Sequence, residues 1–292
     1  VRMFDQAGRV DSEAFDFKGN LLKSSRRFTQ TYDTLIDWES EPDLQPTAHI
    51  TETVYDGLNR PTNLLAPDGS RHAMTFNSAG FLETVSVRLN GQAETTRFVE
   101  NIDYDAKGQR SKIEYSNGVV THYERDRLTD RLTRLHTLRG SEAVQDYRYV
   151  FDPVGNICSI TDHVRDDVYF DNQVTNADRD YTYDAVYRLI EATGREHLGL
   201  VGTPHVNHDD GPRTGKPHKA DAQAMRSYRE FYEYDQVGNF ERLRHTQGAG
   251  NWTREYAYTD PSPLDPGQVS NRLTRTTVGA GPETPYTYDL HG

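Results

Sequence analysis

The stretch that decides the fold is Tyr232–Phe240, which reads YEYDQVGNF. Tyr232 and Tyr234 lie two residues apart, as side chains on one face of a β-strand do. Asp235 opens a turn, because its carboxylate can accept hydrogen bonds from the backbone N–H groups just ahead of it. Gly238 supplies the positive φ that a hairpin loop commonly needs near its end. The stretch therefore predicts a strand, a turn and a second strand.

This pattern of an aromatic residue, an aspartate and a later glycine recurs along the chain. Asn59 stands in for the glycine in one copy, and asparagine tolerates the left-handed region. In another copy Tyr187 takes that place, and because tyrosine is a poor left-handed residue we expect a different turn there. The predicted structural repeat positions are Phe4, Asp5, Gly8, Phe15, Asp16, Gly19, Tyr55, Asp56, Tyr104, Asp105, Gly108, Phe151, Asp152, Gly155, Tyr183, Asp184, Tyr234, Asp235, Gly238, Tyr288 and Asp289.

Three tighter hairpin signals lie between these copies. They are the dipeptides Asp68–Gly69, Asn90–Gly91 and Asn117–Gly118, each flanked by alternating segments. Such dipeptides favour a two-residue type I′ turn, because its twist matches that of the flanking strands. Since every hairpin alone is marginal in stability, neighbouring copies must bury one another's aromatic side chains.

Two segments break the repeat and are predicted to be long loop insertions, at about residues 32–50 and 199–220. Trp38 lies in the first and is expected to anchor that loop against the sheet. The second is rich in Gly, Pro and His. Residues 221–228 after it are predicted to form a short helix. Apart from these insertions, residues 1–292 are predicted to be one section of a repeat sheet.

Composition narrows the classes of partner. The formal net charge of −12 argues against nucleic acid, because phosphate binding depends on Lys and Arg. No apolar run is long enough for a membrane-spanning segment. The 18 Tyr and 11 Phe residues, set between turn signals, favour an all-β chain. The single cysteine, Cys158, excludes an internal disulfide framework.

The repeated Tyr-Asp-x-x-Gly pattern resembles the YD, or RHS, repeat, and the stretches FDFKGNLLKSSRRF (15–28) and YDAVYRLIEATGREH (183–197) resemble RHS cores of bacterial toxins of the insecticidal toxin-complex type. The resemblance implies a spiral of antiparallel β-hairpins that forms part of a hollow β-shell, or cocoon. It implies a secreted bacterial protein whose shell encloses and shields a C-terminal toxic polypeptide. The expected partners are that polypeptide and the remaining shell of a longer parent protein, of which this chain looks like a piece.

The resemblance leaves one alternative, since teneurins use a similar shell for adhesion on animal cell surfaces. In that case exposed aromatic side chains would bind a glycan or a receptor. Cross-strand packing is the simpler role for aromatic residues at alternate strand positions.

Candidate chemistry is sparse in the sequence. The repeat aspartates are better explained as turn formers than as a glycosidase pair, which would need two carboxylates in one cleft. The histidines and aspartates of the second insertion could ligate a metal, but their spacing matches no closed zinc pattern; they are His205, His208, Asp209, Asp210 and His218. Cys158 lies in a predicted strand and is expected to be a buried small hydrophobe. We therefore expect no enzyme activity, cofactor or metal.

Overall fold

The structure is a computed structural model, and it describes residues 1–31, 36–199, 217–218, 220–248, 250–262 and 264–288. Within these ranges the chain consists of antiparallel strands and one short 3₁₀ turn, Trp38–Ser40. The strands are β1 Arg2–Asp5, β2 Gly8–Phe15, β3 Leu21–Phe28, β4 His49–Tyr55, β5 Pro61–Leu65, β6 Arg71–Phe76, β7 Leu82–Arg88, β8 Thr96–Tyr104, β9 Arg110–Tyr115, β10 Val119–Arg125, β11 Leu132–Arg139, β12 Glu142–Phe151, β13 Ile157–Asp162, β14 Val168–Phe170, β15 Gln173–Thr175, β16 Arg179–Tyr183, β17 Leu189–His197, β18 Met225–Tyr234, β19 Phe240–Thr246, β20 Trp252–Ala257, β21 Arg275–Val278 and β22 Thr284–Pro285.

The chain divides into two compact units. The first comprises Val1–Tyr123 and Thr137–Glu142. Its strands from β1 to β10 form a meander in which each strand pairs antiparallel with the next along the chain. Short connections between consecutive strands make this the expected arrangement for a chain of hairpins.

The second unit comprises Glu124–His136 and Ala143–Gly292. Here β12, β13 and β16 to β22 pair antiparallel in chain order. Between β13 and β16 the chain makes a separate hairpin from β14 and β15. The all-β, antiparallel-hairpin fold predicted from the repeat is therefore confirmed.

The hydrophobic core of the described residues is thin. The hydrophobic side chains classed as buried are Val87, Ile102, Ile113, Val168, Ala177, Ala192 and Ala224. Most other strand side chains are half-buried. Contacts between neighbouring strands, including aromatic pairs, therefore carry much of the side-chain packing.

The first loop insertion follows β3 and contains the 3₁₀ turn. Trp38 donates a hydrogen bond from Nε1 to the carbonyl of Asp5 at 3.2 Å. Its ring also packs on Phe4, with 4.6 Å between the ring centroids. The prediction that Trp38 anchors this loop is confirmed. Residues 32–35 lie outside the described residues, as do residues 200–216 and 219 of the second insertion.

Two local predictions are wrong. The helix predicted over residues 221–228 is a turn followed by strand β18, whose Met225 pairs with His197 of β17. Pairing with β17 from Glu191 to His197 outweighs the weak helical preference of this short segment. No helix in the described part of the chain is long and apolar enough to span a membrane.

The two-residue type I′ turns are the second error. A type I′ turn needs positive φ at both central residues, but in each dipeptide only the glycine (Gly69, Gly91 or Gly118) has it. At Gly69 and Gly118 the glycine N–H donates to the carbonyl three residues earlier, which is the turn that the main repeat uses. The hairpin positions were predictable, but the turn type was not.

Candidate functional site: the repeat turns and their aromatic rungs

The turn at Asp235 shows how the repeat is built. The Asp235 N–H donates to the carbonyl of Asn239 at 2.9 Å, and the Gly238 N–H donates back to the Asp235 carbonyl at 3.3 Å. Oδ1 of Asp235 accepts from the N–H groups of Val237 at 3.0 Å and of Gly238 and Asn239 at 2.8 Å. Oδ2 accepts from the Asn239 side chain at 2.8 Å. Both carboxylate oxygens are therefore engaged within the turn.

The same arrangement recurs in the other copies. In each, the aspartate Oδ1 accepts from two backbone N–H groups of its own turn; the aspartates are Asp16, Asp56, Asp105, Asp152 and Asp184. A carboxylate held this way stabilises a turn and is not free to act as an acid or base on a substrate.

The copy at Phe4 differs from this pattern. Asp5 pairs directly with Gly8 across a two-residue loop, although its Oδ1 still accepts from the Ala7 and Gly8 N–H groups. Arg26 from β3 holds both oxygens of Asp5 at 2.7 Å. The last predicted repeat position, Asp289, lies outside the described residues.

The left-handed position of the turn tolerates residues other than glycine. Asn59 has a φ of 63° and Tyr187 a φ of 67°. The Tyr187 N–H donates to the Asp184 carbonyl at 3.0 Å, as Gly238 does in its own turn. The expectation of a different turn at Tyr187 is wrong, because paired strands on both sides impose the geometry on an unfavourable residue.

Hydrogen bonds to the repeat carboxylates favour their charged form. The Arg60 side chain, with the turn N–H groups, lowers the pKa of Asp56, and the Asn20 side chain does the same for Asp16. At Asp235 desolvation raises the pKa, but hydrogen bonds from Asn239 and the turn backbone outweigh it, and the net pKa is lowered. The carboxylates therefore hold their turns best when ionised.

Four of the repeat tyrosines link their copy to the one before it. Their hydroxyls donate to the carbonyl of the residue that follows the preceding turn; the pairs are Tyr104 to Leu82 at 2.7 Å, Tyr183 to Ile157 at 3.0 Å, Tyr234 to Leu189 at 2.8 Å and Tyr288 to Leu273 at 2.8 Å. Burial raises the pKa of Tyr104, Tyr183 and Tyr234. Each tyrosine is thus a structural rung between adjacent hairpins.

In five cases the residue that closes a turn covers the aromatic ring of the next copy. The guanidinium carbon lies over the ring in four pairs: Arg60 over Phe76 at 4.5 Å, Arg131 over Phe151 at 5.7 Å, Arg188 over Tyr234 at 4.8 Å and Arg272 over Tyr288 at 5.4 Å. In a fifth, Phe81 stacks on Tyr104 at 4.8 Å. Cation–π and stacking contacts add to the hydroxyl bonds between copies.

Sequence reasoning missed two copies. Asn77 forms the same turn as the aspartates, because its side-chain oxygen accepts from the Ala79 and Phe81 N–H groups at 3.0 Å. Asp126 forms a turn longer by one residue, with the left-handed position at Asp130. The signal for the first was the FNSAGF segment, with asparagine in the aspartate's place.

No chemical centre emerges from the described residues, which include no group of three His, Cys, Asp or Glu side chains placed to hold a metal. His205, His208 and Asp209 lie outside them, whereas the His218 Nδ1 accepts from the Ala220 N–H at 3.1 Å. Cys158 lies in β13 as predicted, but it is half-buried and not buried, as is every other residue of that strand.

A scan against models of known protein families found no match. Among curated proteins, the chain is 30% identical over 266 residues to toxin subunit YenC2 of Yersinia entomophaga, covering 86% of this chain and 27% of the relative. It is 32% identical over 189 residues to toxin subunit YenC1 of the same organism, covering 63% of this chain and 19% of the relative. The chain thus spans about a quarter or less of these relatives.

Solved structures agree with these relatives. The crystal structure of TcdB2-TccC3 without its hypervariable C-terminal region superposes with a TM-score of 0.72 at 27% identity, covering 95% of this chain and 13% of that chain. The Photorhabdus luminescens Tc holotoxin pore gives 0.70 at 27% identity, covering 88% of this chain and 12% of that chain. The chain is similar to bacterial toxin-complex subunits and resembles their RHS core.

Proposed function

We propose that this chain is a wall section of a secreted RHS-repeat toxin, and that it helps to enclose and shield a toxic polypeptide of its parent protein. The observation that carries the proposal is the linkage from copy to copy. Within each unit the hairpins are bonded through their strand ladder. Four copies are also linked through a tyrosine hydroxyl and five through a covered aromatic ring. Such a sheet is a barrier of hydrogen-bonded backbone, which a protease cannot bind in extended form.

The mechanism is steric, and no residue needs to perform covalent chemistry. The repeat aspartates that the structure describes accept hydrogen bonds within their own turns. Relatives named as toxin subunits support the role in a toxin complex, and we propose the remaining subunits and the enclosed polypeptide as partners. None of these relatives is named as an adhesion protein, which leaves the glycan-binding alternative without support.

Protease protection of the parent protein tests the proposal. The full-length parent, purified with its toxic polypeptide, is treated with a nonspecific protease, and the polypeptide is followed by immunoblot. We expect the polypeptide to survive in the intact parent and to be digested rapidly once urea has opened it. The polypeptide alone is the control for intrinsic sensitivity. Equal digestion rates in the intact and opened parent would contradict the enclosure function.

A further inference from the structure

His245 is a buried histidine of the second unit that the repeat pattern does not explain. It lies in β19 and is only 3% exposed. Each of its ring nitrogens contacts a glutamate of another strand. Nε2 lies 2.8 Å from Oε1 of Glu196 in β17, and Nδ1 lies 3.1 Å from Oε1 of Glu230 in β18. We call these three residues the glutamate–histidine cluster, and through one ring it ties three strands together.

The two contacts of His245 set the number of protons that the cluster needs. An ionised carboxylate only accepts hydrogen bonds, whereas a neutral imidazole donates from one nitrogen and accepts at the other. A neutral ring between two carboxylates would leave one nitrogen facing an oxygen that has no hydrogen to donate. One additional proton, on the ring or on a glutamate, turns both contacts into hydrogen bonds. Because the three groups share it, this proton belongs to the cluster as a whole.

The aromatic side chains around His245 favour a positive charge on its ring. Trp252 stacks on it with 5.0 Å between the ring centroids and 7° between the planes, and Tyr228 with 5.2 Å and 29°. The faces of such rings attract a cation. Tyr232 donates from its hydroxyl to Oε2 of Glu230 at 2.6 Å; burial, with this hydrogen bond, raises the pKa of the hydroxyl, which keeps it a donor. These contacts and the two glutamates offset the cost of burying a charged ring.

Further charged and titratable side chains surround the cluster on the neighbouring elements. Arg226 pairs in register with Glu196, and Arg254 lies over the Trp252 ring at 5.9 Å. The full set comprises Arg179 and Tyr181 of β16, Arg226 of β18, Arg254 of β20 and Asp171 in the turn between β14 and β15. Among the side-chain types in the cluster and around it, histidine is the one that ordinarily titrates between pH 5 and 8. A local response to pH in that range therefore reports on the cluster.

We propose that the glutamate–histidine cluster is a pH-dependent clamp, which holds β17, β18 and β19 together while it retains the additional proton and loosens them when the proton leaves. An unfolded histidine has released this proton above pH ~6.5. Since the folded cluster then binds one proton more than the unfolded chain, the stability of this region falls as the pH rises. The contribution of the clamp is full below pH ~6.5 and is lost as the pH rises through the titration of the closed cluster. This device does not require that the sheet enclose a polypeptide.

Hydrogen–deuterium exchange of the full-length parent, followed by mass spectrometry between pH 6 and pH 9, tests the clamp. Rates are corrected for the intrinsic pH dependence of amide exchange. We expect exchange in residues 189–197 and 240–246 to rise above pH ~6.5 by up to tenfold per pH unit, the limit for one proton released on opening. Residues 8–28 contain no histidine and are the internal control, which should stay flat. No rise in the cluster segments, or an equal rise in the control segment, would overturn the proposal.

Three variants separate the clamp from a merely structural role. In Glu196→Gln the amide can donate to the unprotonated ring nitrogen, so both contacts survive without the additional proton and the pH dependence should disappear. His245→Gln removes the titrating ring and should also give a flat profile. His163→Gln changes an exposed histidine outside the cluster and should keep the rise. If His245→Gln does not fold, Glu196→Gln decides: a rise as steep as in the unchanged protein would refute the clamp.

Discussion

At the scale of single residues, each repeat turn needs a side chain that accepts backbone N–H groups and a later residue with positive φ. Different side chains fulfil these two requirements at different energetic cost. Asp235 and Gly238 satisfy them with a carboxylate that accepts three backbone N–H groups and a residue free to adopt positive φ. Tyr187 satisfies the same geometry with a side chain that disfavours it. Position 187 is therefore a place where a substitution can increase the free energy of unfolding.

Replacing Tyr187 with glycine should stabilise the protein. The left-handed conformation costs a non-glycine residue about 1–2 kcal/mol, while glycine adds about 0.4–1 kcal/mol of unfolded-state entropy. The expected net gain is about 0.5–1 kcal/mol in the free energy of unfolding, measured by urea titration. The reverse change, Gly238→Ala, meets no atom within 4 Å and should lower stability by a similar amount. A loss of stability on Tyr187→Gly would contradict this account.

The repeat carboxylates should make stability depend on acidic pH. Asp16 and Asp56 have a folded-state pKa below the ordinary value. Their contribution is therefore full above pH ~4, near the unfolded-state pKa, and is lost as the pH falls through the folded-state pKa. Because Asn77 forms the same turn with a neutral side chain, Asp16→Asn with Asp56→Asn should keep the turns and flatten this dependence. The midpoints of urea unfolding between pH 7 and pH 3 measure this dependence. An equally steep fall of the midpoint in the unchanged protein and in the double variant would refute the role of the carboxylates.

At the scale of elements, the hairpin is the unit that could be read from the sequence. The aromatic-Asp-x-x-Gly pattern located most repeat turns, because it encodes turn chemistry that acts within a few residues. What could not be read depends on neighbouring strands. The turn at Tyr187 is imposed by the two strands that it joins, and the strand at Met225 is imposed by pairing with His197, which is distant in sequence.

Removing one tyrosine hydroxyl should weaken the linkage between two hairpins without disturbing the ring. In Tyr234→Phe the 2.8 Å hydrogen bond to the Leu189 carbonyl is lost, while the contacts with Arg188 and Phe240 remain. The expected cost is about 1 kcal/mol in the free energy of unfolding. Tyr187→Phe, at an exposed turn tip, is the control and should change stability by less than about 0.5 kcal/mol. Equal effects at both positions would argue against the rung.

The ring-covering contact predicts a difference between two glycines of the first unit. A Cβ at Gly108 would lie 2.6 Å from the Phe81 ring, whereas one at Gly19 meets nothing within 4 Å. Both glycines have positive φ, 77° and 88°. Gly108→Ala should therefore cost about 1–3 kcal/mol more than Gly19→Ala, because Phe81 must leave its stack on Tyr104. Chemical denaturation of the two variants makes the comparison, and equal costs would exclude a role for this stack.

At the scale of the whole molecule, the family could be predicted from the sequence, but the way in which the repeats assemble could not. Copies of one motif along the chain pointed to an RHS-repeat toxin, and the relatives agree. The copy at Asn77 was missed because an asparagine stands in the aspartate's place, and the copy at Asp126 was missed because its turn is longer by one residue. A thin core with many half-buried side chains fits the proposed role of the sheet as one section of a larger wall.

The most direct test of the wall function is a cryo-electron microscopy map of the full-length parent protein with its toxic polypeptide. The account predicts a hollow particle in which these hairpins form part of the wall and the polypeptide density lies inside. A solid or extended particle, or a toxic polypeptide located outside the sheet, would contradict it.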